Sequence, residues 1–433
     1  MERRGKVGVM VCVMLLLLSP VMVFCAGTQE AKDASAPVEI KVLSPYVGTH
    51  SAAEFFDWAL KEFSDTHQGT IKVNVEEVPG EQNYVDKIKV LLSTDKLPDV
   101  VFSSYNLLDL CVEAGKTVDL TPYLDADPVW NSGFDPATLA YNTFDNKVMG
   151  VAYFKRLIGY YYNKELFQKA GIKKPAETWS EFFQQLDMLK NAGITPLSLD
   201  TGDSGWITSL WLSSLVGTSG KVGNDFMNRQ QPVNYEFPEF IKSVASIQKF
   251  FQNYTTGDAV GGKYENGAVN FFSGRTAIIA NGTWMVKDFS DPNKAPEGFA
   301  DKVGIAIYPE GGVFMSAAKG AFCCSKTKSK ADAAVEFLKF LTKPETQQHY
   351  FELTGESPES PKVEMTDVIK EKYPLVADLF RLSKDAKYFY QYPQAAWYAN
   401  VTDQLSVLYP LLANGSLSPE DFARKLTETA KNN

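Results

Sequence analysis

The stretch FFSGRTAIIANGTW, residues 271–284, decides how this chain is read. Residues 276–280 are mostly apolar and β-branched at Thr276, Ile278 and Ile279, which predicts a short buried strand. Phe271, Phe272, Ser273 and Gly274 precede it as an aromatic anchor running into a turn. Asn281-Gly282 ends the strand, since glycine accepts backbone angles that other residues avoid. Trp284 then stands at a strand's carboxyl end, where open α/β sheets hold their ligands. An indole there is either a stacking platform for a ligand with an apolar face or a plug in the core.

The elements before this stretch have the rhythm of a parallel sheet. Residues 38–43 and 71–75 alternate like strands, and 98–102 is an apolar strand ending in Ser103-Ser104-Tyr105-Asn106. Between them, 52–63 and 84–92 carry helical spacing. Strand–helix–strand–helix–strand predicts a doubly wound α/β sheet whose exit loops share a cleft. Thr178 and Glu181 form a capping box that makes Trp179 structural. Residues 200–206, DTGDSGW, are the Gly-rich exit loop of a strand at 196–199. Further helices are expected at 208–216, 237–251 and 331–341, and the carboxyl-terminal third is helical.

A chain of 433 residues is too long for one ordinary core, so two lobes are expected. Residues 1–24 are a secretory signal: Arg3, Arg4 and Lys6 precede an apolar run broken by Ser19-Pro20. Cys25 before Ala26-Gly27 suggests a lipidation site, with ordinary cleavage or an uncleaved anchor as alternatives, because Phe24 is not the usual small residue. Residues 28–37 are too polar to fold and read as a tether. The net charge is −9, and removing residues 1–24, with three basic residues and one acidic one, moves it to −11. That argues against a nucleic-acid partner.

Chemistry-bearing motifs are missing. His50, His67 and His349 are far apart and in no metal spacing. No G-x-S-x-G or H-E-x-x-H occurs, and Leu110 occupies the first glycine of the P-loop that Gly115-Lys116-Thr117 mimics. Neither a metal nor another cofactor is expected, and the chain reads as a non-enzyme. Tyr160-Tyr161-Tyr162 sits in an apolar strand run and reads as core. Cys111, Cys323 and Cys324 are no disulfide framework, and the adjacent pair reads as buried thiols.

Several runs carry a resemblance. The segments "PDVVF", "VEAGKTVDLTPYL", "YYNKELFQKAGIKKPAETWSEFFQQLDMLKNAGITPLSL", "SGRTAIIANGTW" and "KADAAVEFLKFL" resemble, in this order, the extracellular solute-binding proteins of ABC importers. The likeness is to the sugar-binding branch that includes the maltodextrin-binding protein, and it covers nearly all of the chain after the signal. It implies two hinged lobes, each a doubly wound, mostly parallel sheet flanked by helices. The expected boundaries are 38–150 with 282–320 for one lobe and 157–275 with 325–433 for the other. Crossings are expected at 151–156, 276–281 and 321–324, after a signal at 1–24 and a lipidated tether at 25–37. It further implies a carbohydrate ligand, ABC permease subunits as partners, and an exported monomer anchored by lipid at the periplasmic or outer face of the membrane.

A sugar offers a C–H face for aromatic rings and hydroxyls for polar groups. The candidate ligand residues are therefore Trp284, Trp397, Tyr398, Trp206, Asp203, Tyr105, Asn106, Tyr46 and Thr49. Trp397 and Tyr398 enter through "aaWYa", which resembles the family's carboxyl-terminal platform. Lys155 and Arg156 depart from the pattern, since the maltodextrin binder carries a glutamate near this place. Cations there either favour a carboxylate- or phosphate-bearing ligand or make a hinge salt bridge. A secreted polysaccharide lyase or glycosidase, or a binder of an acidic or non-sugar solute, is the competing reading.

Overall fold

β1 (Val38–Ser44) buries Ile40, Val42, Leu43 and Ser44. It pairs in parallel with β2 (Ile71–Glu77) along its whole length, from Val38↔Ile71 to Ser44↔Glu77. Parallel neighbours need a crossover, and helix Ala53–Thr66 supplies it, with Phe55, Phe56, Ala59 and Phe63 on its buried face. After helix Glu81–Ser93, β3 (Val100–Val101) pairs in parallel with the other edge of β1. A small antiparallel pair follows, β4 (Thr143–Phe144) and β5 (Lys147–Val148).

The computed structural model describes residues 36–432, and Pro37–Asn433 forms one compact unit. The expected signal segment, Cys25 and most of the tether lie outside the described residues. Among the described residues, no helix is long and apolar enough to cross a membrane.

The remaining strands are β6 (Lys155–Asn163), β7 (Thr195–Leu197), β8 (Thr276–Gly282), β9 (Val303–Ala306), β10 (Gly312–Ala317), β11 (Phe322–Cys323) and β12 (Tyr388–Phe389). They complete two sheets. The first runs β11-β3-β1-β2, and the second runs β12-β10-β6-β8-β7 with β9 also on β6. The first is mostly parallel, with only β11 reversed. The second is mixed, not mostly parallel: β6 is antiparallel to β8, β9 and β10, while β7–β8 and β10–β12 are parallel. At its centre Gly159 is required, because a Cβ there would lie 2.4 Å from the Ala306 carbonyl oxygen.

Two separate cores follow from the two sheets. The first gathers buried residues from Ile40 to Phe154 and from Ala318 to Tyr350. The second gathers Leu157 to Phe314 and Phe351 to Ala430. The chain thus passes between cores near residues 154–157, 314–318 and 350–351.

These cores divide the chain differently from the sequence reading. The run 276–281 is no crossing: β8 is buried throughout, between β6 and β7. Residues 282–314 stay with the second core, because Phe289 and Phe299 pack against Phe271 and Phe272. Helix Lys328–Thr342 and Tyr350 belong to the first core, where Phe337 meets Phe63 edge-on at 5.0 Å. Phe271 and Phe272 end a helix, Tyr264–Phe272, before the turn. Cys111, Cys323 and Cys324 are buried free thiols.

Candidate functional site

Trp284 takes its place from a missing side chain. The backbone at Gly282 is ordinary extended chain, φ −102°, so glycine is not there for an unusual angle. It is there for space: a Cβ on Gly282 would sit 2.1 Å from the Trp284 ring, which folds back over it. Asn281 fixes the turn, donating from Nδ2 to the Tyr264 hydroxyl at 2.9 Å and accepting the Gly282 N–H at Oδ1. Ile158 pairs with Gly282, so extending the register sets Arg156 beside Trp284.

The Arg156 guanidinium lies over two rings, 5.0 Å from the Trp284 centroid and 4.8 Å from Phe154. Trp284 is tilted against Trp206 at 6.2 Å, and Trp206 meets Tyr392 edge-on at 5.0 Å. Burial raises the Tyr392 phenol and Arg156 draws it down, so the run of three rings, Trp284, Trp206 and Tyr392, lies beside the cation, with Phe154 also against it. Cations over aromatic faces gain up to about 2 kcal/mol where water is excluded. Burial works against the Arg156 charge, but Tyr392, Glu356, Glu81 and Tyr46 outweigh it and hold the proton more firmly than usual.

In the first lobe, Tyr46, Glu81 and Tyr105 feel this charge. Tyr46, after β1, packs edge-on against Phe102 at 5.0 Å and Phe56 at 6.0 Å. Tyr105 holds a left-handed backbone, φ 49°. Burial and Glu81 push both phenols upward, and Arg156 pulls both down. Glu81 opens helix Glu81–Ser93, and its Oε1 accepts from the Ser104 hydroxyl.

Trp206 is presented by a strained loop. Asp203, Ser204 and Gly205 are all left-handed, φ 49°, 68° and 59°. Such strain persists only where surroundings fix it. Here Gln394 donates to Ser204 Oγ at 3.0 Å, and buried Asp200 accepts the Thr208 N–H at 3.1 Å. Burial pushes the Asp200 carboxyl up to about 7, and its Oδ2 has no partner. Asp203 meets Lys263 at 3.3 Å.

The sequence candidates therefore separate. Trp284, Trp206 and Arg156 come together, Tyr46 and Tyr105 of the first lobe feel the Arg156 charge, and Asp203 acts on Tyr105. Trp397 is not among them: it is 2% exposed in the second core, against Tyr235 at 4.8 Å and Phe226 and Phe240 at 6.0 Å. Tyr398 is half-buried beside that core. Lys155 is spent on Asp135 at 2.9 Å, a contact between the first lobe and the start of β6. Asn106 is buried ahead of helix Leu107–Glu113 without a side-chain cap bond, and Thr49 is exposed, its carbonyl 3.5 Å from Lys294. Four residues were not foreseen: Phe154, Glu81, Tyr392 and Glu356. Phe154 had a signal, since i and i+2 share a strand face and Arg156 was in hand. The other three come together only through the fold.

Direct contacts also join the lobes. Lys287 reaches Glu54 at 3.3 Å, Lys89 reaches Asp403 at 3.9 Å, and the Tyr141 hydroxyl donates to the Ala395 carbonyl. Among the described residues, no group of His, Cys, Asp and Glu side chains could hold a metal ion.

Known proteins share both sequence and fold with this chain. It is similar to the multiple sugar-binding protein of Streptococcus mutans serotype c, at 25% identity over 225 residues, 49% of this chain and 51% of that protein. It is also similar to the sn-glycerol-3-phosphate-binding periplasmic protein UgpB of Escherichia coli O1:K1 / APEC, at 26% identity over 215 residues, 46% of each chain. It thus spans about half the length of these curated relatives, which are named as binding proteins, not enzymes. A solved chitin oligosaccharide binding protein superposes with TM-score 0.80 at 21% identity, over 92% of this chain and 98% of that one. This likeness makes the fold that of the two-lobed periplasmic binding proteins. The family model of the bacterial extracellular solute-binding proteins matches residues 58–377, and the chain belongs to that family.

Proposed function

We propose that this protein captures a saccharide between its lobes and delivers it to the membrane subunits of an ABC importer. One observation carries the reading: Trp284, Trp206 and Tyr392, half-buried or just below the surface, run ring against ring beside Arg156, whose charge reaches Tyr46 and Tyr105 of the other lobe. Rings supply apolar faces for sugar C–H surfaces, and the polar groups between them supply donors and acceptors for hydroxyls. The names of the sugar-binding relative and the chitin oligosaccharide neighbour agree with it. Closure of the lobes would enclose the ligand, bending at the three passages between the cores. No reaction is assigned. Attachment by a lipid on Cys25, after removal of 1–24, belongs to the same reading, with the protein working as a monomer.

The test is calorimetric titration of the protein lacking residues 1–24 with neutral, acidic and phosphorylated saccharides. Micromolar or tighter binding of a saccharide supports the reading, and a panel without any heat of binding overturns it. For the anchor, Cys25→Ser should release the protein from membranes, and unchanged membrane association would refute acylation.

A further inference from the structure

The short helix Pro393–Ala396 depends on donors from outside itself. The last four carbonyls of any helix have no partner within it, and four residues are too few to hold a helix alone. The Ala396 carbonyl accepts the Gln231 N–H at 2.7 Å, inside the second lobe. The Ala395 carbonyl accepts the Tyr141 hydroxyl, which comes from the first lobe. The helix in turn braces the loop that presents Trp206. Gln394, 1% exposed, donates from Nε2 to Ser204 Oγ at 3.0 Å and lies 3.4 Å from the Ser204 carbonyl oxygen. Ser204 is the middle of the three left-handed residues before Trp206.

Tyr141 is fixed at its other end. It closes helix Pro136–Tyr141, and the residues just past the second passage between the cores are tied to that helix end. Lys319 donates to the Tyr141 carbonyl at 2.9 Å, sits 4.4 Å from the centroids of the Tyr141 and Phe144 rings, and meets Asp109 at 3.3 Å. Asn142, fully buried, donates from Nδ2 to the Ala318 carbonyl at 3.0 Å and accepts the Gly320 N–H at 2.8 Å. Gly320 leaves no slack, since a Cβ there would lie 2.0 Å from the Val151 carbonyl carbon. Three consecutive residues, 318–320, therefore hold Tyr141 to the passage.

We infer that Tyr141 is a positioning residue for Trp206: its hydroxyl, fixed to the passage at 318–320, sets helix Pro393–Ala396, and Gln394 on that helix sets the strained loop 203–205. When the lobes part, Tyr141 and Ala395 travel with different cores and the bond between them breaks. The loop then loses its brace, and a left-handed run without one relaxes. Trp206 loses its fixed angle against Trp284 and Tyr392, so these rings are in register only with the lobes together, whatever solute the protein carries. The ion pairs between the lobes cannot do this. Lys287 with Glu54 and Lys89 with Asp403 join long, partly exposed side chains, which hold little geometry.

The experiment is fluorine NMR of the protein labelled with 5-fluorotryptophan, with no ligand added. A short bismaleimide joining Lys89→Cys to Asp403→Cys keeps the lobes together, and Cys111, Cys323 and Cys324 are buried away from it. The chain has seven tryptophans, and replacing Trp206, Trp58 and Trp130 by Phe one at a time assigns their signals. Tyr141→Phe keeps the ring beside Lys319 and removes only the hydroxyl. It should shift or split the Trp206 signal, leave Trp58 and Trp130 of the first lobe in place, and keep the melting temperature within about 4 °C of the parent. Gln394→Ala should move the Trp206 signal at least as far, and the double variant no further, because both act along one path. Glu54→Ala, which removes a different lobe contact, should leave Trp206 unmoved. The inference is overturned if the Trp206 signal stays put in Tyr141→Phe, or if the two substitutions add. It also falls if Trp58 and Trp130 move as far as Trp206, if Glu54→Ala does the same as Tyr141→Phe, or if Tyr141→Phe melts well below that range. No ligand is present, so each of these outcomes leaves the saccharide reading as it was.

Discussion

Trp284 and Trp397 are the same residue in two different settings. Trp397 has aromatic neighbours on every recorded side, Phe226, Tyr235 and Phe240, and its indole N–H has no partner. Trp284 is half-buried and shares its ring with a guanidinium and with another half-buried tryptophan. What separates a plug from a platform is the company of the ring. A core excludes groups that need water or a partner, and a site gathers them. Position after a strand or before a helix does not distinguish the two.

The largest effect should come from the plug. Trp397→Ala should cost about 3–5 kcal/mol of folding stability by urea melts, as a truncated core tryptophan does. The protein that remains folded should bind its saccharide with unchanged affinity. A large loss of affinity at little cost in stability would erase the contrast.

Asp200 tests whether the site side is held at a cost. Its carboxyl is raised by burial from 3.8 to about 7, so the folded chain holds this proton more tightly than the unfolded one. Its contribution to stability is therefore complete below about pH 4 and is lost as pH rises through about 7. Asp200→Asn should flatten that fall, changing the difference in unfolding free energy across the window by on the order of 2–4 kcal/mol. An unaltered pH slope in the variant would refute the role.

Trp284→Ala should show the mirror image of Trp397→Ala. Loss of a buried aromatic anchor typically costs about 2 kcal/mol, roughly thirtyfold in affinity, with a near-native melting temperature. Trp284→Phe should lose less, because a smaller ring remains. Normal affinity in Trp284→Ala would make Trp284 a plug after all.

The smallest effect should come from Lys155→Ala. Its ion pair with Asp135 is partly exposed, 21% and 38%, and such pairs contribute about 0–1 kcal/mol. Affinity should move by less than threefold, about 0.7 kcal/mol, and by less than in Arg156→Gln. Equal losses in both would mean that the two neighbouring cations do the same work.

Much of the fold was legible because its signals are local. β1 and the helix after it show their burial in their own periodicity, and the Thr178–Glu181 capping box forms as its spacing requires. Lobe membership was less legible. Nothing inside residues 282–320 says which core their apolar side chains meet; that depends on β9 and β10 finding β6, far away in the chain. At the site, Trp284 and Trp206 could be named from a strand end and a Gly-rich exit loop, and Arg156 from its departure from the family's pattern. Glu81 and Tyr392 could not, since one looks like any helix-opening acid and the other like any tyrosine before Pro393. The "aaWYa" motif misled for the complementary reason, as its tryptophan is held by Phe226, Tyr235 and Phe240.

The interleaving of the two cores also sets a timetable. A chain that emerges amino terminus first makes β1, β2 and β3 early, but the edge beyond β3 stays open until β11 appears at Phe322. The helix that covers that core, Lys328–Thr342, arrives later still. Neither half can finish alone, because the second core also waits for residues up to Ala430. For most of its emergence the chain carries unfinished apolar surface from both lobes, so its assembly is dominated by long-range contacts and is correspondingly slow.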